Sequence, residues 1–372
     1  MTRLKLVLLY GGQSGEHEVS LQSAASVLAN LDSNQYDVLP VGMDKQGCLY
    51  LNSAAELIQN YPDALPVKLA SSEKLSSLMS DGKLSLDADV VFPVMHGPLC
   101  EDGALQGVFD LADIAYVGCN LLSSAISMDK DIARQLAVVE GIESIRYHRL
   151  PHSSSAAQDK TWCEAAAKDL GFPLFVKPCA LGSSVGIHRA ENMSELLLAV
   201  QDARLYDRVV LIEEYIEGRE IELAVLEHDG AEGVPDVSVP GEIQSNHPDG
   251  FYSYAAKYTE CEQLKLCIPA VLDTNLTRKL QMAAAEIFMC LRAAGLARVD
   301  FFVQDNKNKI YFNEMNTLPG FTTVSMFPKL WEASGLNYPA LLDRLIQSAL
   351  RRHSKRSALI TDCAGASQHV TG

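Results

Sequence analysis

The sequence predicts an α/β chain that becomes α+β toward its middle and C-terminal parts. Three observations predict it. Residues 4–10 (LKLVLLY) form an apolar run of strand length, closed by Gly11-Gly12 and followed by a helical pattern over 19–31. Strands over 36–43 and 90–95 extend the same layer, and strands alternating with helices make an open parallel sheet. Farther on, apolar runs at 297–303 and 309–315 flank Asp305-Asn306-Lys307-Asn308, a turn signal that marks a hairpin.

The remaining elements follow in order. Residues 51–86 suggest only helices and loops. The strand at 90–95 runs into a loop over 96–103. Helices are expected over 128–140 and 162–170. Gly171-Phe172-Pro173 then breaks the chain before a strand over 174–177. A small-residue loop leads to a return strand over 186–189, and Asn192-Met193-Ser194-Glu195 offers polar caps to the next helix. Strands over 209–215 and 220–226 come next. Residues 244–263 are polar and aromatic with no apolar period, which predicts a long functional loop. Helices over 276–294 and 338–348 bracket the hairpin. Residues 353–372 lack a period and predict a disordered tail.

The chain has 372 residues, enough for two or three domains. With 48% hydrophobic and 21% charged residues it has a globular composition. A net charge of -16 argues against nucleic acid or an anionic membrane as partner. The 9 cysteines are scattered without C-x-x-C, which points to reduced thiols in a cytoplasmic protein. The apolar run before Gly11 is too short for a signal-peptide core or a membrane span.

The hairpin carries the richest chemistry. Asp300 lies on its first strand; Glu314 and Asn316 lie two apart on its second, so they share a face. The turn sets Asp300 opposite Asn313 or Glu314. Hard oxygen donors gathered in this way suit Mg²⁺. Arg298 shares that face and could stabilise an anionic transition state. Asn316-Thr317-Leu318-Pro319-Gly320 follows, a turn able to offer backbone N–H groups. Lys177 ends a strand and Lys130 opens a helix, and either ammonium suits phosphate oxygens. Neither a P-loop nor G-x-G-x-x-G occurs. Glu213-Glu214-Tyr215-Ile216 ends a strand with acids beside apolar residues, a pattern able to take adenine and ribose. Glu16 opens the first helix, where an acid also suits the dipole. His96 follows a buried strand, where α/β sheets bind ligands.

Gly182-Ser183-Ser184-Val185-Gly186 matches G-x-S-x-G, but a nucleophile elbow needs a helix directly after it. Here a strand follows, so the segment reads as a phosphate lid behind Lys177.

In order along the chain, several segments resemble the ATP-grasp superfamily and, within it, the D-alanine–D-alanine ligase family. They are Gly11 to Ser20, His96 to Gly107, Ser127 to Lys130, Lys177 to Gly186, Tyr252 to Tyr258, Ala297 to Asp300 and Asn313 to Gly320. The resemblance implies an N-terminal α/β substrate domain (1–121), a central ATP-grasp subdomain (122–213) and a C-terminal ATP-grasp domain with lid loop and metal site (214–352). It implies ligation of two D-alanines through an acyl phosphate for peptidoglycan precursors, with ATP as co-substrate and two Mg²⁺ or Mn²⁺. Lys130, Lys177, Ser184 and Lys257 would serve the ATP phosphates, and Glu213, Glu214, Tyr215, Ile216 and Glu220 the adenosine. Asp300, Glu314 and Asn316 would hold the metals. Glu16 and His96 would receive the first D-alanine, and Arg298 and the Gly320 N–H its carboxylate. Ser325, Lys257 and Met326 would line the second site. Ser183 would link Glu16 to Tyr258 when the loop closes. A cytoplasmic homodimer is implied as well, and a D-lactate or D-serine ligase is the alternative within the fold. Where the family has glycine this chain has Cys100; a cysteine avoids positive φ, which predicts a differently shaped His96 loop.

Overall fold

The structure, a computed structural model, describes residues 3–52, 73–75, 77–81, 83–152, 155–182, 185–229, 233–245 and 264–359. The first layer contains β1 (Leu4–Gly11), α1 (His17–Asn30), β2 (Tyr36–Met43), β3 (Leu49–Leu51), β4 (Glu73–Leu75), β5 (Met79–Ser80), β6 (Lys83–Leu84), β7 (Val90–Pro93), α2 (Ala104–Leu111) and β8 (Ala115–Tyr116). Its sheet runs β4-β3-β2-β1-β7-β8. The β2-β1-β7-β8 portion is parallel, and β3 and β4 add antiparallel at one edge. β1 is apolar on both faces because both are covered: Leu6, Leu8 and Tyr10 enter one core, Val7 and Leu9 another. Of the helices and loops expected within 51–86, no helix occurs among the described residues there, which form short strands joined by turns and loops. Leu49, Leu51, Leu75 and Leu84 drive them by packing onto the Val7 side.

Next come α3 (Leu121–Met128), α4 (Lys130–Val139), β9 (Tyr147–Leu150), α5 (Ala156–Leu170), β10 (Leu174–Pro178), β11 (His188–Ala190), α6 (Met193–Ala203) and β12 (Val210–Glu214). The expected helix over 128–140 is α4, which starts at Lys130; α3 ends at Met128, and Asp129 separates the two. Its carboxylate accepts the Ile132 N–H at 3.1 Å and so caps α4. The antiparallel sheet β11-β10-β12-β9 packs on α5 and α6 over its own core. Ala133 and Ala137 of α4 enter a different core, that of the C-terminal sheet.

That sheet contains β13 (Arg219–Leu226), β14 (Asp236–Val237), β15 (Gly241–Ser245) and β16 (Leu264–Cys267). After α7 (Thr274–Cys290) it is completed by β17 (Leu296–Gln304) and β18 (Lys309–Asn316). The order is β16-β15-β13-β17-β18, with β14 on β13. α8 (Met326–Ala333) and α9 (Tyr338–Ser357) close the fold. The expected tail is corrected in part: α9 continues to Ser357, with Arg352 donating to the Tyr116 carbonyl at 3.0 Å and His353 bonded to Asp113. No helix among the described residues is long and apolar enough to cross a membrane.

Candidate active site

The hairpin register decides the metal-facing geometry. Asp300 pairs with Glu314 and Arg298 with Asn316, and an irregularity follows between Asp300 and Phe301. Glu222 on β13 pairs with Asp300 from the other side. Arg298 therefore lies between two carboxylates. It donates to Asp300 at 2.8 and 2.7 Å and reaches Glu222 at 3.0 Å. Burial pulls against its charge, but Asp300 and Glu222 outweigh this and raise its pKa well above the ordinary value. The Asn316 amide donates to Asp300 at 2.9 Å, and the Lys130 ammonium is 3.2 Å from Glu314.

No group of three His, Cys, Asp or Glu side chains placed to hold a metal occurs among the described residues. The expected ligands are two carboxylates and one carboxamide, the hard oxygen donors that Mg²⁺ takes. Their carboxylates are held by Arg298 and Lys130 here. The donor set fits the ion.

One open cleft of about 1080 Å³ gathers Lys130, Lys177, Arg298, Asp300 and Glu314 with Glu213, Glu214, Tyr215, Ile216 and Glu220. Sequence reasoning missed its apolar lining, which includes Ile145, Phe175, Ile187 and Phe302. Phe175 and Tyr215 pack with ring centroids 5.9 Å apart, and the Arg189 guanidinium lies 5.2 Å from the Tyr215 centroid. The signal was present in the alternation of the strand at 174–178. Lys177 and Glu213 are both buried and pair at 2.7 Å. Burial lowers the Lys177 pKa despite that pairing. Burial would raise the Glu213 pKa, but Arg134 and Lys177 bring it down to about 2. Arg134, also missed, is fully buried.

A second group forms where β1 and β7 end. Gly11 turns at φ 90, and a Cβ there would stand 2.1 Å from the Met43 carbonyl. Its N–H donates to Ser20 Oγ at 2.7 Å, and Ser20 Oγ donates to the Val94 carbonyl at 2.5 Å, which seats α1 against both strands. Glu16 occupies the cap position of α1, and its carboxylate lies 3.7 Å from where a Gly97 Cβ would be. His96 Nδ1 donates to the Leu318 carbonyl at 2.9 Å and is 3.6 Å from Glu101. Burial opposes its protonation, but the Glu101 hydrogen bond and the Glu16 and Glu101 charges leave its pKa raised. His96 Nε2 is buried with no hydrogen-bond partner among the described residues.

The Asn316–Gly320 turn thus meets the His96 loop, and Thr317 Oγ1 donates to the Glu101 carbonyl at 3.3 Å. A Cβ at Gly320 would stand 2.8 Å from Ser325 Oγ, which accepts the Thr322 N–H at 3.0 Å. Met326 is buried in the core and packs over Gly241. In the His96 loop Gly97, Leu99 (φ 69) and Gly103 take positive φ, and Cys100 does not; it packs inward with Met95. The cysteine therefore leaves the backbone unstrained at its own position. Ser183, Ser184, Lys257 and Tyr258 lie outside the described residues.

Residues 5–119 match the model for the D-ala D-ala ligase N-terminus, and residues 136–347 match that for the D-ala D-ala ligase C-terminus. A D-alanine--D-alanine ligase of Legionella pneumophila (strain Lens) is 55% identical over 359 residues, 96% of this chain and 98% of that protein. The solved D-alanine-D-alanine ligase from Coxiella burnetii superposes with TM-score 0.81 at 36% identity, covering 96% of this chain and 97% of that one. The VanG D-Ala:D-Ser ligase from Enterococcus faecalis superposes with TM-score 0.78 at 34% identity, covering 94% of this chain and 100% of that one.

Proposed function

The chain belongs to the D-ala D-ala ligase family, and from this we propose that it joins two D-alanine molecules into D-alanyl-D-alanine, converting ATP to ADP and phosphate. The observation that carries the proposal is the cleft itself. It sets Lys130, Lys177 and Arg298 against Asp300 and Glu314, beside the apolar slot of Phe175, Tyr215 and Ile216.

A carboxylate repels an amine nucleophile, so the first D-alanine must be activated. Transfer of the ATP γ-phosphoryl group makes its carboxylate an acyl phosphate. The deprotonated amine of the second D-alanine attacks that carbonyl, the C–N bond forms, and phosphate leaves with the C–O bonding pair. Lys130 and Lys177 neutralise phosphate oxygens, as a charge-dominated transfer requires. Asp300, Glu314 and Asn316 would hold Mg²⁺, which offsets charge on the phosphates. Arg298 and the Gly320 N–H receive the first substrate's carboxylate and then the tetrahedral oxyanion. Glu16 pairs with its ammonium and His96 serves the same pocket, supported by a buried Nε2 that has no hydrogen-bond partner among the described residues. Ser325 and Lys257 take the second carboxylate. Ser183 and Tyr258 close the loop, because an acyl phosphate must be kept from water. The family likeness further suggests a cytoplasmic homodimer.

The test supplies Mg²⁺ and ATP with D-alanine or L-alanine alone, and with D-alanine together with D-serine or D-lactate, with phosphate and product mass as readouts. D-alanine is expected to release one phosphate per dipeptide, and L-alanine none. Phosphate release indifferent to D-alanine would overturn the proposal. A dominant mixed D-alanyl-D-serine product would favour the alternative that the D-Ala:D-Ser ligase neighbour represents.

A further inference from the structure

Arg134 lies directly behind the wall of the ligase cleft, bonded to the lining residues Glu213 and Asn313 without lining the cleft itself. It is fully buried, although arginine is among the residues least often found inside. Its Nη1 donates to Glu213 Oε1 at 2.6 Å. The other oxygen of that carboxylate, Oε2, pairs with Lys177 at 2.7 Å. The rest of the guanidinium fork grips Asn313, with Nε to its carbonyl at 2.9 Å and Nη2 to its side-chain oxygen at 3.1 Å. The group also lies 5.5 Å from the Tyr147 ring centroid. It is fixed on every side, as a planar five-donor group can be.

We propose that Arg134 is a positioning residue for nucleotide binding: it holds one oxygen of Glu213 against Asn313, so that Lys177 shares the carboxylate and keeps charge for the phosphates. This rests on the ligase reading above. The trio carries two positive charges and one negative, all buried, and a buried charge in excess seeks a counter-ion. Lys177 and Glu213 line the cleft, and Lys177 is the cation of the trio that faces it. Without Arg134 the whole Glu213 charge would fall on Lys177, and the phosphates would have to compete with a closed pair. Arg134 also sits one helical turn from Lys130 on α4, so one face of that helix serves both phosphate-facing lysines.

The experiment is calorimetric titration of ADP into the full chain, with steady-state KM values for ATP and D-alanine. In Arg134→Met, ADP affinity is expected to fall at least tenfold, with the D-alanine KM within twofold of wild type. Arg134→Lys should recover ADP affinity to within threefold, because a cation again occupies Glu213 Oε1. In a Glu213→Gln background, Arg134→Lys should change affinity by less than twofold, since the effect runs through Glu213. ADP binding by Arg134→Met within twofold of wild type would overturn the inference. So would an Arg134→Lys variant that is folded by circular dichroism yet binds tenfold more weakly, and this arm holds even if Arg134→Met fails to fold. If the wild type itself binds no ADP, the ligase reading fails; if it binds and Arg134→Met matches it, only this inference does.

Discussion

Glu213 shows how one residue couples stability to the site. It is buried between Lys177 and Arg134, and its carboxyl falls from an ordinary 4.5 to about 2. A carboxyl held lower in the folded state contributes stability that is complete above the unfolded pKa and is lost as pH falls toward the folded one. A shift of this size corresponds to roughly 3 kcal/mol. Glu213→Gln should therefore destabilise the chain at pH 7, by about 3–5 kcal/mol once the unpaired cations are included. Urea melts should show the gap to wild type narrowing as pH drops from 4.5 to 3; a gap constant across that window would refute the account. Leu99 offers a contrast in backbone terms. It is more than half exposed at φ 69, a conformation that costs about 1–2 kcal/mol for an L residue. Leu99→Gly should leave stability unchanged or raise it by less than about 1 kcal/mol, after the entropy of the added glycine. Cys100→Gly should instead lower it by about 1–3 kcal/mol, since a buried side chain is lost. A stabilising Cys100→Gly would mean that the loop needs its glycine at 100 after all.

At the level of elements, α4 and the β17–β18 hairpin build the phosphate end of the cleft together. Asp129 caps α4 and also accepts the Cys179 thiol at 3.2 Å. Asp129→Ala should cost about 1 kcal/mol of stability. It should also fray the first turn, so that the KM for ATP rises several-fold while that for D-alanine stays near wild type. Equal rises in both would show that the cap supports the whole molecule rather than Lys130. The hairpin was legible in the sequence because two apolar runs flank a turn tetrapeptide. The choice between Asn313 and Glu314 was not, since it depends on the register shift at Asp300/Phe301. α3 was missed because three serines interrupt its apolar pattern. α2 was missed because it follows a glycine at φ 95, which reads as loop. α8 was missed because Pro328 looks like a breaker, although it falls in the first turn, where proline is tolerated. Lys130, Lys177, Arg298 and Asp300 could be found because charges at strand and helix ends stand out. Arg134 could not: nothing in a sequence says that an arginine between two buried alanines is itself buried.

Across the whole molecule, the cores do not follow the divisions suggested by the motifs. One cluster joins Leu6, Leu8 and Phe92 of the first sheet to Ala224 and Leu226 of the third, through Phe321, Phe327 and α9. Phe92 meets Phe321 edge-on at 5.7 Å between centroids. The last helix adds polar ties: Arg356 pairs with Asp110, and Arg352 lies over the Tyr116 ring. α1 covers part of the Leu6, Leu8 and Phe92 face, and the N-terminal layer therefore borrows the rest of that cover from the C-terminal part. The middle sheet borrows nothing comparable, because its cluster runs from Leu150 to Ile212 and includes only its own strands and helices. A fragment of residues 1–121 would keep α1 on the Leu6, Leu8 and Phe92 side but expose the part that Phe321, Phe327 and α9 cover, and burial of that area contributes to its stability. Expressed alone, it should show no cooperative thermal transition and should bind a hydrophobic dye. A fragment of residues 144–214 keeps its core whole and should melt cooperatively, though with the small stability of a domain of its size. A sharp, dye-free transition in the first fragment, or none in the second, would mean that stability follows chain order rather than the cores.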